Sequence, residues 1–347
     1  MRRGSTLSSQ FGLTERIFAS GEDKAFAAAI EEGLDTVELG LHAQMRYADQ
    51  LADVTARYLL KAGGKRVRPM LTLLTAQLGD GNTPQVITAA EAVEITHLAS
   101  LYHDDVMDEA LMRRGVPSAQ TVWGNSVAVL TGDLLFARAS KLVADLGERA
   151  IRLQADTFER LCLGQLHETI GPEPDEDPIE HYLGVLADKT GSLIAVAAQM
   201  GVVFSNAPSG YELPVVTFGE KIGVAFQLID DVIDLASAAE TTGKIPGTDL
   251  RAGVATLPLL KLRERAPADA SAASLLERLE TQVIGAPDDV DVADAVAALR
   301  AHDVTVETLA EAHEWAREAV AALEPLPAGP VKKALARFAD TIVERSS

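Results

Sequence analysis

Apolar residues recur every three or four positions along most of the chain, alanine and leucine are prominent, and no alternating stretch of strand length occurs. This period matches the turn of an α-helix, so we predict an all-α fold of roughly 12 to 13 helices. The predicted helices cover residues 21–48, 49–62, 68–78, 83–109, 118–144, 148–171, 178–205, 211–237, 254–265, 271–283, 291–300, 305–323 and 329–345.

Turn-forming residues separate the predicted helices. The short connections contain glycine, proline, asparagine or aspartate and lie at residues 62–64, 79–82, 113–117, 172–175 and 206–210. Residues 237–253 form a longer, glycine-bearing connection, which is typical of a functional loop. Because no fixed-period repeat or long linker interrupts the pattern, we predict one domain over residues 16–347, preceded by a loose segment over residues 1–15.

The overall charge narrows the classes of partner. Of 347 residues, 51 are acidic and 31 basic, which gives a formal net charge of −20. A nucleic-acid-binding protein needs a basic surface to displace counterions from phosphates, so we expect no nucleic-acid partner.

The longest apolar stretch, residues 193–204, is shorter than the roughly 18 to 20 residues that cross a bilayer. Together with the single cysteine, Cys162, and an opening without a signal-peptide pattern, this predicts a cytoplasmic protein with no transmembrane segment.

The most specific motif, D-D-x-x-D, occurs twice, at residues 104–108 and 230–234. On an α-helix its carboxylates lie at about 0°, 100° and 40° around the axis, so all three share one side within a turn. Carboxylates about 4 Å apart repel by roughly 4 kcal/mol at an effective dielectric near 20. Mg²⁺ relieves this repulsion, because it binds one or two carboxylates together with substrate phosphates. Two such patches facing each other would hold a diphosphate between metal ions.

The alternative explanation for either motif is a solvated acidic helix surface. Its repetition, each time within an apolar helical run, argues against that explanation. The carboxylates concerned belong to Asp104, Asp105 and Asp108, and to Asp230, Asp231 and Asp234.

Basic residues cluster near both motifs. The stretch 63–69 places Lys65, Arg66 and Arg68 beside Pro69, at the predicted start of a helix whose free N–H groups favour an anion. Paired guanidinium groups at 113–114 suit phosphate oxygens. The other candidate residues of a substrate site near the two motifs are the basic or ionisable residues Arg113, Arg114, Lys189, Lys244 and His97, and the polar residues Thr190 and Gln227.

Together these stretches resemble the trans-prenyl diphosphate synthase family, the polyprenyl synthetases. The resemblance spans about residues 20–345 and rests on GGKRVRP at 63–69, SLYHDDVMDEALMRRG at 100–115, GDLLFARA at 132–139, KTGSL at 189–193, FQLIDDVIDL at 226–235 and GKIPGTDLRAGVATLPLL at 243–260. It implies an all-helical bundle around a deep central cavity, which is usually a homodimer. The implied reaction is the Mg²⁺-dependent, head-to-tail addition of isopentenyl diphosphate to an allylic diphosphate, such as farnesyl or geranylgeranyl diphosphate.

The resemblance also implies a role for each motif residue. It assigns Mg²⁺, about three ions per site, to Asp104, Asp108 and Asp230, supported by Asp105, Asp231 and Asp234. It assigns the allylic diphosphate to Arg113, Lys189 and Lys244, and isopentenyl diphosphate to Lys65, Arg68, His97 and Arg114. Thr190 and Gln227 would flank the reacting carbons, and the released diphosphate would accept the proton.

Product length depends on the helix turn that precedes the first motif. In the family, bulky residues there accompany short products, whereas this chain has Ala99 and Ser100. We therefore expect a trans-polyprenyl product of about C30 to C50. The predicted helix over residues 83–109 is long enough for such a product, because at about 1.5 Å per residue it could line a cavity of roughly 35 Å or more. A menaquinone or other quinone side chain is the implied destination, and peripheral membrane contact during product release stays open.

One position departs from the family pattern, because Val254 stands where a second phosphate-binding lysine is common. Either Arg251 or Lys244 compensates, or the chain is a non-catalytic or partner-dependent subunit of a two-component synthase. Three other classes fit less well. A terpene cyclase is expected to carry a different second metal motif, and a di-iron bundle needs a second E-x-x-H pair besides Glu94 and His97. An HD-type phosphohydrolase could use His103-Asp104, but no histidine lies between His42 and His97 to supply its usual upstream ligand.

Overall fold

The structure of the chain is a computed structural model, and it describes residues 24–236, 247–287 and 290–344. The loose segment predicted at residues 1–15 lies outside these ranges. The amino-terminal helices are α1 (Lys24–Gln44), α2 (Gln50–Ala56), α3 (Tyr58–Lys61), α4 (Val67–Ala76), α5 (Pro84–Met107), α6 (Ala119–Trp123), α7 (Asn125–Leu146) and α8 (Glu148–Ile170). Two-residue strands, β1 (Met112–Arg113) and β2 (Val116–Pro117), pair antiparallel between α5 and α6.

The remaining described residues are also helical. The later elements are α9 (Pro178–Leu186), a π-helical turn (Ala187–Gly191), α10 (Ser192–Phe204), a 3₁₀ turn (Ser209–Tyr211), α11 (Glu212–Ala236), α12 (Thr248–Arg251), α13 (Leu257–Arg265), α14 (Ala270–Gln282), α15 (Ala293–Ala301), α16 (Asp303–Ala322) and α17 (Pro330–Val343). The all-α prediction is confirmed. None of the described helices combines the length and the apolar character that crossing a bilayer demands.

The described residues divide into two compact units. The first contains residues 24–159, 193–219 and 322–338, and the second contains residues 160–192, 220–236, 247–287, 290–321 and 339–344. Each unit collects segments from several parts of the chain, so neither corresponds to a continuous stretch of sequence. The single domain over residues 16–347 stays a prediction.

Several helix boundaries differ from the prediction. The helix expected over 49–62 breaks at Arg57, and the helix expected over 118–144 breaks at Gly124. Gly124 adopts φ 83° and ψ 161°, a conformation that is essentially restricted to glycine and that no helical residue shares. Periodicity of apolar residues continues across both breaks, which is why the sequence pattern alone did not reveal them.

Helix α5 is the centre of the first unit, and it is buried on most sides. It begins at Pro84, after Thr83, whose hydroxyl accepts a hydrogen bond from the Val86 N–H at 3.2 Å. Its most extensive partner is α7, which approaches so closely that a Cβ atom on Gly132 would lie 2.3 Å from the His103 ring. This contact fixes the carboxyl end of α5, which carries the first aspartate motif.

The second unit has its own apolar core, built around the end of α11. Leu235 of α11 packs with Leu250 of α12, Leu259 of α13 and Val296 of α15, and all four are buried. Leu235 and Leu250 directly follow Asp234 and Asp249 in the chain, respectively. The core therefore anchors the backbone that presents the second aspartate motif.

Glu91 on α5 provides a test of this packing that is independent of function. Its carboxylate is 6% exposed and lies against α1, where a Cβ atom on Gly40 would come within 1.8 Å of Oε1. Burial raises the pKa of Glu91 to about 7, against a hydrogen bond with Gln44 that lowers it. Because the pKa of Glu91 is near 4.5 in the unfolded chain and about 7 in the folded one, the free energy of unfolding should fall as the pH rises between these two values.

We expect Glu91→Gln to raise the melting temperature at pH 8, because the wild type must then ionise a buried carboxyl, at a cost of about 1 to 3 kcal/mol. At pH 5 the carboxyl is protonated, and the two proteins should melt within about 2 °C of each other. Calorimetric melting between pH 5 and 8 measures the difference. An equal rise in melting temperature at pH 5 and at pH 8 would contradict the raised pKa of Glu91.

Candidate active site

The first aspartate motif occupies the last turn of α5, and its three members differ in burial. Asp105 is fully buried, Asp104 is half-buried and Asp108 is exposed. Because the carbonyl groups at a helix carboxyl end are themselves negative, this is an unfavourable place for three carboxylates without cations. The first and last carboxylates of the motif are thus at least partly exposed to solvent, whereas the second is turned inward.

Asp105 is held in place by Arg113. The Arg113 Nε donates to Asp105 Oδ1 at 2.6 Å, while Asp105 Oδ2 is buried without a hydrogen-bond partner among the described residues. Burial raises the pKa of Asp105, and the Arg113 guanidinium opposes that shift. Arg113 is thus tied to the first motif through one nitrogen of its guanidinium group.

The hairpin formed by β1 and β2 determines where the two consecutive arginines point. Arg114 and Gly115 form its two-residue loop, and both have positive φ angles, 53° and 77°. Positive φ at both loop residues is the geometry of a type I′ turn. Arg113 consequently meets Asp105, whereas Arg114 Nη1 donates to the carbonyls of Leu59, at 3.0 Å, and Gly63.

Cationic side chains and His97 cluster in the same unit, beside the loop at residues 63–66, and we call this cluster the cationic pocket. Arg68 and His97 are half-buried, and Lys65 is exposed. Burial lowers the pKa of Arg68 to about 10, with Glu94 and Asp104 opposing and Arg114 adding to the shift. Burial, followed by the fields of Arg68 and Arg114, also lowers the pKa of His97 well below its usual value, so the imidazole is neutral at pH 7.

The Nε of Arg68 bears on what this cluster of side chains can bind. It is buried and has no hydrogen-bond partner among the described residues. A buried guanidinium nitrogen without an acceptor is costly, and an anion removes that cost. The pocket therefore fits a phosphate group, with positive charge from Arg68 and a neutral hydrogen-bonding group from His97.

The second motif, on α11, repeats the pattern of the first. Asp231 is 6% exposed, and its Oδ2 accepts from the Tyr182 hydroxyl at 2.7 Å and from the Leu257 N–H at 3.3 Å. Burial raises the pKa of Asp231 to about 7, against both of these hydrogen bonds. Asp230 and Asp234 are half-buried, and Asp234 Oδ2 accepts from the Asp249 N–H at 3.2 Å.

Lys189 and Thr190 lie in the π-helical turn between α9 and α10, where the sequence predicted an uninterrupted helix over 178–205. The turn packs closely on α11, because a Cβ atom on Gly223 would lie 2.6 Å from the Gly191 Cα. One helical turn later on α11 is Gln227, which is half-buried. Lys189 Nζ donates to Glu168. Single π turns are frequent at functional sites.

Position 254 is 41% exposed, in the connection between α12 and α13. The Val254 N–H donates to the Asp249 carbonyl at 2.9 Å. Arg251 was one of the two cations expected to compensate for the lysine that Val254 replaces, but it donates Nη1 and Nη2 to the carbonyls of Pro287 and Val290, each at 2.8 Å. Lys244 is the remaining candidate for that role, and it lies outside the described residues.

The residues predicted to set product length lie in the first unit. Ala99 is buried, and Ser100 is half-buried with its hydroxyl donating to the His97 carbonyl at 2.9 Å. Further toward the start of α5, a small cavity of about 10 Å³ is lined by Ala92, Val93 and Thr96 of the same helix, together with Gln154, Val196 and Met200. This space is comparable to one water molecule.

The structure gives contacts in these clusters to three residues for which the sequence predicted no such role. Tyr182 holds Asp231, and Glu94 and Glu38 pair with Arg66. No periodic signal separates these side chains from ordinary surface or core residues. Among the described residues, no three histidine, cysteine or carboxylate groups converge as an all-protein metal site. Mg²⁺ held by one or two carboxylates plus phosphates needs no such convergence.

Known proteins resemble this chain over nearly its full length. The family model for polyprenyl synthetase matches residues 49–293. The chain is 44% identical over 325 residues to a nonaprenyl diphosphate synthase of Mycobacterium tuberculosis, covering 93% of this chain and 95% of the relative. It is 33% identical over 308 residues to heptaprenyl diphosphate synthase component 2 of Geobacillus stearothermophilus, covering 88% and 93%.

A solved structure of a geranylgeranyl pyrophosphate synthase from Corynebacterium glutamicum, complexed with calcium and isoprenyl diphosphate, superposes with a TM-score of 0.81. Its sequence is 40% identical, and the match covers 94% of this chain and 98% of that one.

Proposed function

The chain belongs to the polyprenyl synthetase family. On that premise we propose which of its residues bind the metal ions and the two substrates of a trans-prenyl diphosphate synthase. The enzyme is a prenyltransferase of isoprenoid biosynthesis, which adds isopentenyl diphosphate to an allylic diphosphate. One observation carries the assignment of residues. In each aspartate motif the central carboxylate is buried and held by its own unit, by Arg113 or by Tyr182, while the first aspartate stays partly exposed.

We assign Mg²⁺ to Asp104, Asp108 and Asp230, at about three ions per site, as the family resemblance implies. The calcium in the Corynebacterium glutamicum structure supports the use of a divalent cation. When bound, the ions stabilise the negative charge that develops on the leaving diphosphate. Asp105, Asp231 and Asp234 would orient these ligands, because each accepts a hydrogen bond that fixes its carboxylate.

The chain's own cations would bind the two diphosphates. Arg113, Lys189 and Lys244 hold the allylic diphosphate, and their charge favours cleavage of the allylic C–O bond. Lys65, Arg68, His97 and Arg114 hold isopentenyl diphosphate. Its double bond then attacks the allylic carbocation at near-attack distance, a new C–C bond forms, and the released diphosphate accepts the proton that is lost. Thr190 and Gln227 flank the reacting carbons.

The decisive assay uses the purified single chain. Incubation with Mg²⁺, farnesyl or geranylgeranyl diphosphate and labelled isopentenyl diphosphate should yield a ladder of longer prenyl diphosphates that grows with time. We propose products of about C30 to C50, a range consistent with the nonaprenyl diphosphate synthase relative. Such a product suits a quinone side chain, and we propose a cytoplasmic location, because Cys162 is a free thiol that a reducing compartment would preserve.

A partner-dependent subunit is the second candidate. It is supported by Val254, by the engagement of Arg251 with the carbonyls of Pro287 and Val290, and by the likeness to a component of a heptaprenyl diphosphate synthase. Elongation by the single chain would reject this candidate. Turnover that appears only after a second, different chain is added would instead establish it.

We also propose a homodimer. Large apolar side chains are exposed within a short stretch of α7 and at one position each of α6 and α8 in the first unit: Val129, Leu130 and Leu134, with Val122 and Ile151. Apolar surface of this kind is typical of a protein interface. Light scattering of the purified chain should give twice the mass of 36.8 kDa.

Bulky substitutions at the two chain-length positions should shorten the product. Ala99→Phe, or Ser100→Phe, places an aromatic ring one turn before the first motif, where the growing chain is expected to pass, and should yield products shorter than about C30. Because Ala99 is buried, its variant also overpacks the core by about 1 to 3 kcal/mol, whereas Ser100 is only half-buried. Chromatographic sizing of the products measures the effect, and unchanged lengths in both variants would disprove the assignment.

A further inference from the structure

Lys65, Arg66 and Arg68 are close in sequence, but the structure separates their environments. Lys65 is exposed and Arg68 is half-buried, whereas Arg66 is only 5% exposed. The cause is the backbone of the preceding loop, in which Gly63, Gly64 and Arg66 all have positive φ angles, 101°, 151° and 49°. A left-handed conformation at a non-glycine residue costs about 1 kcal/mol, so surrounding contacts must hold Arg66 there.

Those contacts occupy the whole guanidinium group of Arg66. Nε and Nη2 donate to the two carboxylate oxygens of Glu38, at 2.7 and 3.1 Å, and Nη1 donates to Glu94 Oε1 at 3.1 Å. The Gly63 and Leu60 carbonyls each accept a further bond at 3.4 Å. Arginine has five N–H donors, and five acceptors surround this one, so no donor is left for a substrate.

The same contacts join the parts of the cationic pocket. Glu94 precedes His97 by three residues on α5, so the ion pair ties the loop to the helix turn that carries the imidazole. The Gly63 carbonyl accepts from Arg66 and also from Arg114. A Cβ atom on Gly64 would lie 2.5 Å from Arg66 Nη1 and 3.0 Å from Arg114 Nη1, so both guanidinium groups pack over this glycine.

We propose that Arg66 is a positioning residue for the isopentenyl diphosphate pocket. Neutralised by Glu38 and Glu94, it holds the loop so that Lys65 and Arg68, on either side of it in the chain, reach the diphosphate beside Arg114 and His97. The inference rests on the function proposed above, and it adds a residue that does not itself touch the substrate. It predicts that loss of Arg66 weakens binding of one substrate selectively.

The test compares Arg66→Gln, Arg66→Lys and the double variant Arg66→Gln/Glu94→Gln with the wild type. The double variant is needed because Arg66→Gln alone leaves the buried Glu94 carboxylate without its cation, which destabilises the fold. Arg57→Gln is the matched control, since the Arg57 guanidinium forms its ion pair with Asp53 of α2, away from Glu38 and Glu94. Steady-state kinetics gives KM for each substrate, and calorimetric titration gives the affinity for isopentenyl diphosphate without turnover.

We expect Arg66→Gln and the double variant to raise KM and Kd for isopentenyl diphosphate by about 10- to 100-fold, while KM for farnesyl diphosphate and kcat change by less than about threefold. Arg66→Lys should recover part of the affinity, and Arg57→Gln should match the wild type. A folded double variant with wild-type affinity for isopentenyl diphosphate, or one with equal losses for both substrates, overturns the inference alone. A wild type that neither elongates nor binds isopentenyl diphosphate overturns the proposed function and this inference with it.

Discussion

Asp104→Asn is expected to lower kcat by about a thousandfold, which corresponds to roughly 4 kcal/mol of transition-state stabilisation. The substitution keeps the size of the side chain and removes the negative charge that would hold Mg²⁺ at the first motif. Asp104 is half-buried at the carboxyl end of α5, where a neutral amide is favoured over a carboxylate, so the variant should fold at least as well as the wild type. The loss would therefore be in catalysis.

The dependence on Mg²⁺ distinguishes a lost metal ligand from other defects. Rates measured across a range of Mg²⁺ concentrations should show a higher half-saturation concentration for Asp104→Asn than for the wild type. Glu109→Gln is the matched control, because Glu109 is an exposed carboxylate one residue beyond the motif. A kcat near the wild-type value, with unchanged Mg²⁺ dependence, would remove Asp104 from the metal site.

Asp105 should respond differently from Asp104, although the two are adjacent. Asp105 is fully buried and accepts a hydrogen bond from Arg113, so Asp105→Asn should disturb a positioning contact and leave in place Asp104 and Asp108, the two carboxylates proposed to bind Mg²⁺. We regard this contrast as the functional meaning of the D-D-x-x-D spacing. Its first and last members lie about 40° apart on the helix, and the second lies about 100° away, toward the interior.

The sequence alone predicts that helical geometry, but it does not identify the side chains that hold the inward carboxylates. Arg113 reaches Asp105 because a type I′ hairpin reverses the chain at Arg114-Gly115, and the sequence pattern there indicated only a turn. Tyr182 reaches Asp231 across 49 positions of sequence. Such contacts depend on tertiary packing, and no period in the sequence encodes them.

The π-helical turn at Lys189 and Thr190 illustrates a second limit. Helical apolar patterns lie on both sides of this turn, in α9 and α10, and a single turn of five residues is too short to show a change of period. The local signal that could have been used is Gly191, which faces Gly223 of α11 at close range. Gly191 and Gly223 are far apart in sequence, so they indicate close packing only once it is known that their helical segments are in contact.

The Arg66 assignment shows why charge alone was insufficient in the basic loop. Residue type and spacing alone do not distinguish Lys65, Arg66 and Arg68, which are three cations at the start of a helix; the family resemblance assigned Lys65 and Arg68 to substrate and gave Arg66 no role. The structure gives Arg66 two carboxylate partners and leaves the Arg68 Nε buried without one. Burial and pairing, which decide whether a cation stabilises the fold or binds a substrate, are properties of the folded chain.

Arg68→Gln is the second substitution with a large expected effect, and it should separate binding from stability. We expect KM for isopentenyl diphosphate to rise by about 100-fold, or roughly 2.7 kcal/mol, with kcat changed far less, because charge-assisted hydrogen bonds to a diphosphate are lost. Burial lowers the pKa of Arg68 only to about 10, so its charge is present at neutral pH. His97 is neutral there and cannot replace that charge.

The same substitution should leave the melting temperature of the free protein unchanged or raise it, because it removes a buried guanidinium nitrogen that lacks an acceptor. Arg66→Gln should do the opposite and lower the melting temperature, since it breaks a buried ion-pair network. Lys61→Gln, an exposed lysine shortly before the loop, is the control for a simple loss of positive charge. If Arg68→Gln leaves KM for isopentenyl diphosphate unchanged, the unpartnered nitrogen has another cause and the pocket must be reassigned. If KM for isopentenyl diphosphate rises while the melting temperature is unchanged or higher, then Arg68 serves substrate binding. Its buried, unpartnered nitrogen then destabilises the free protein, and bound substrate removes that destabilisation by accepting the hydrogen bond.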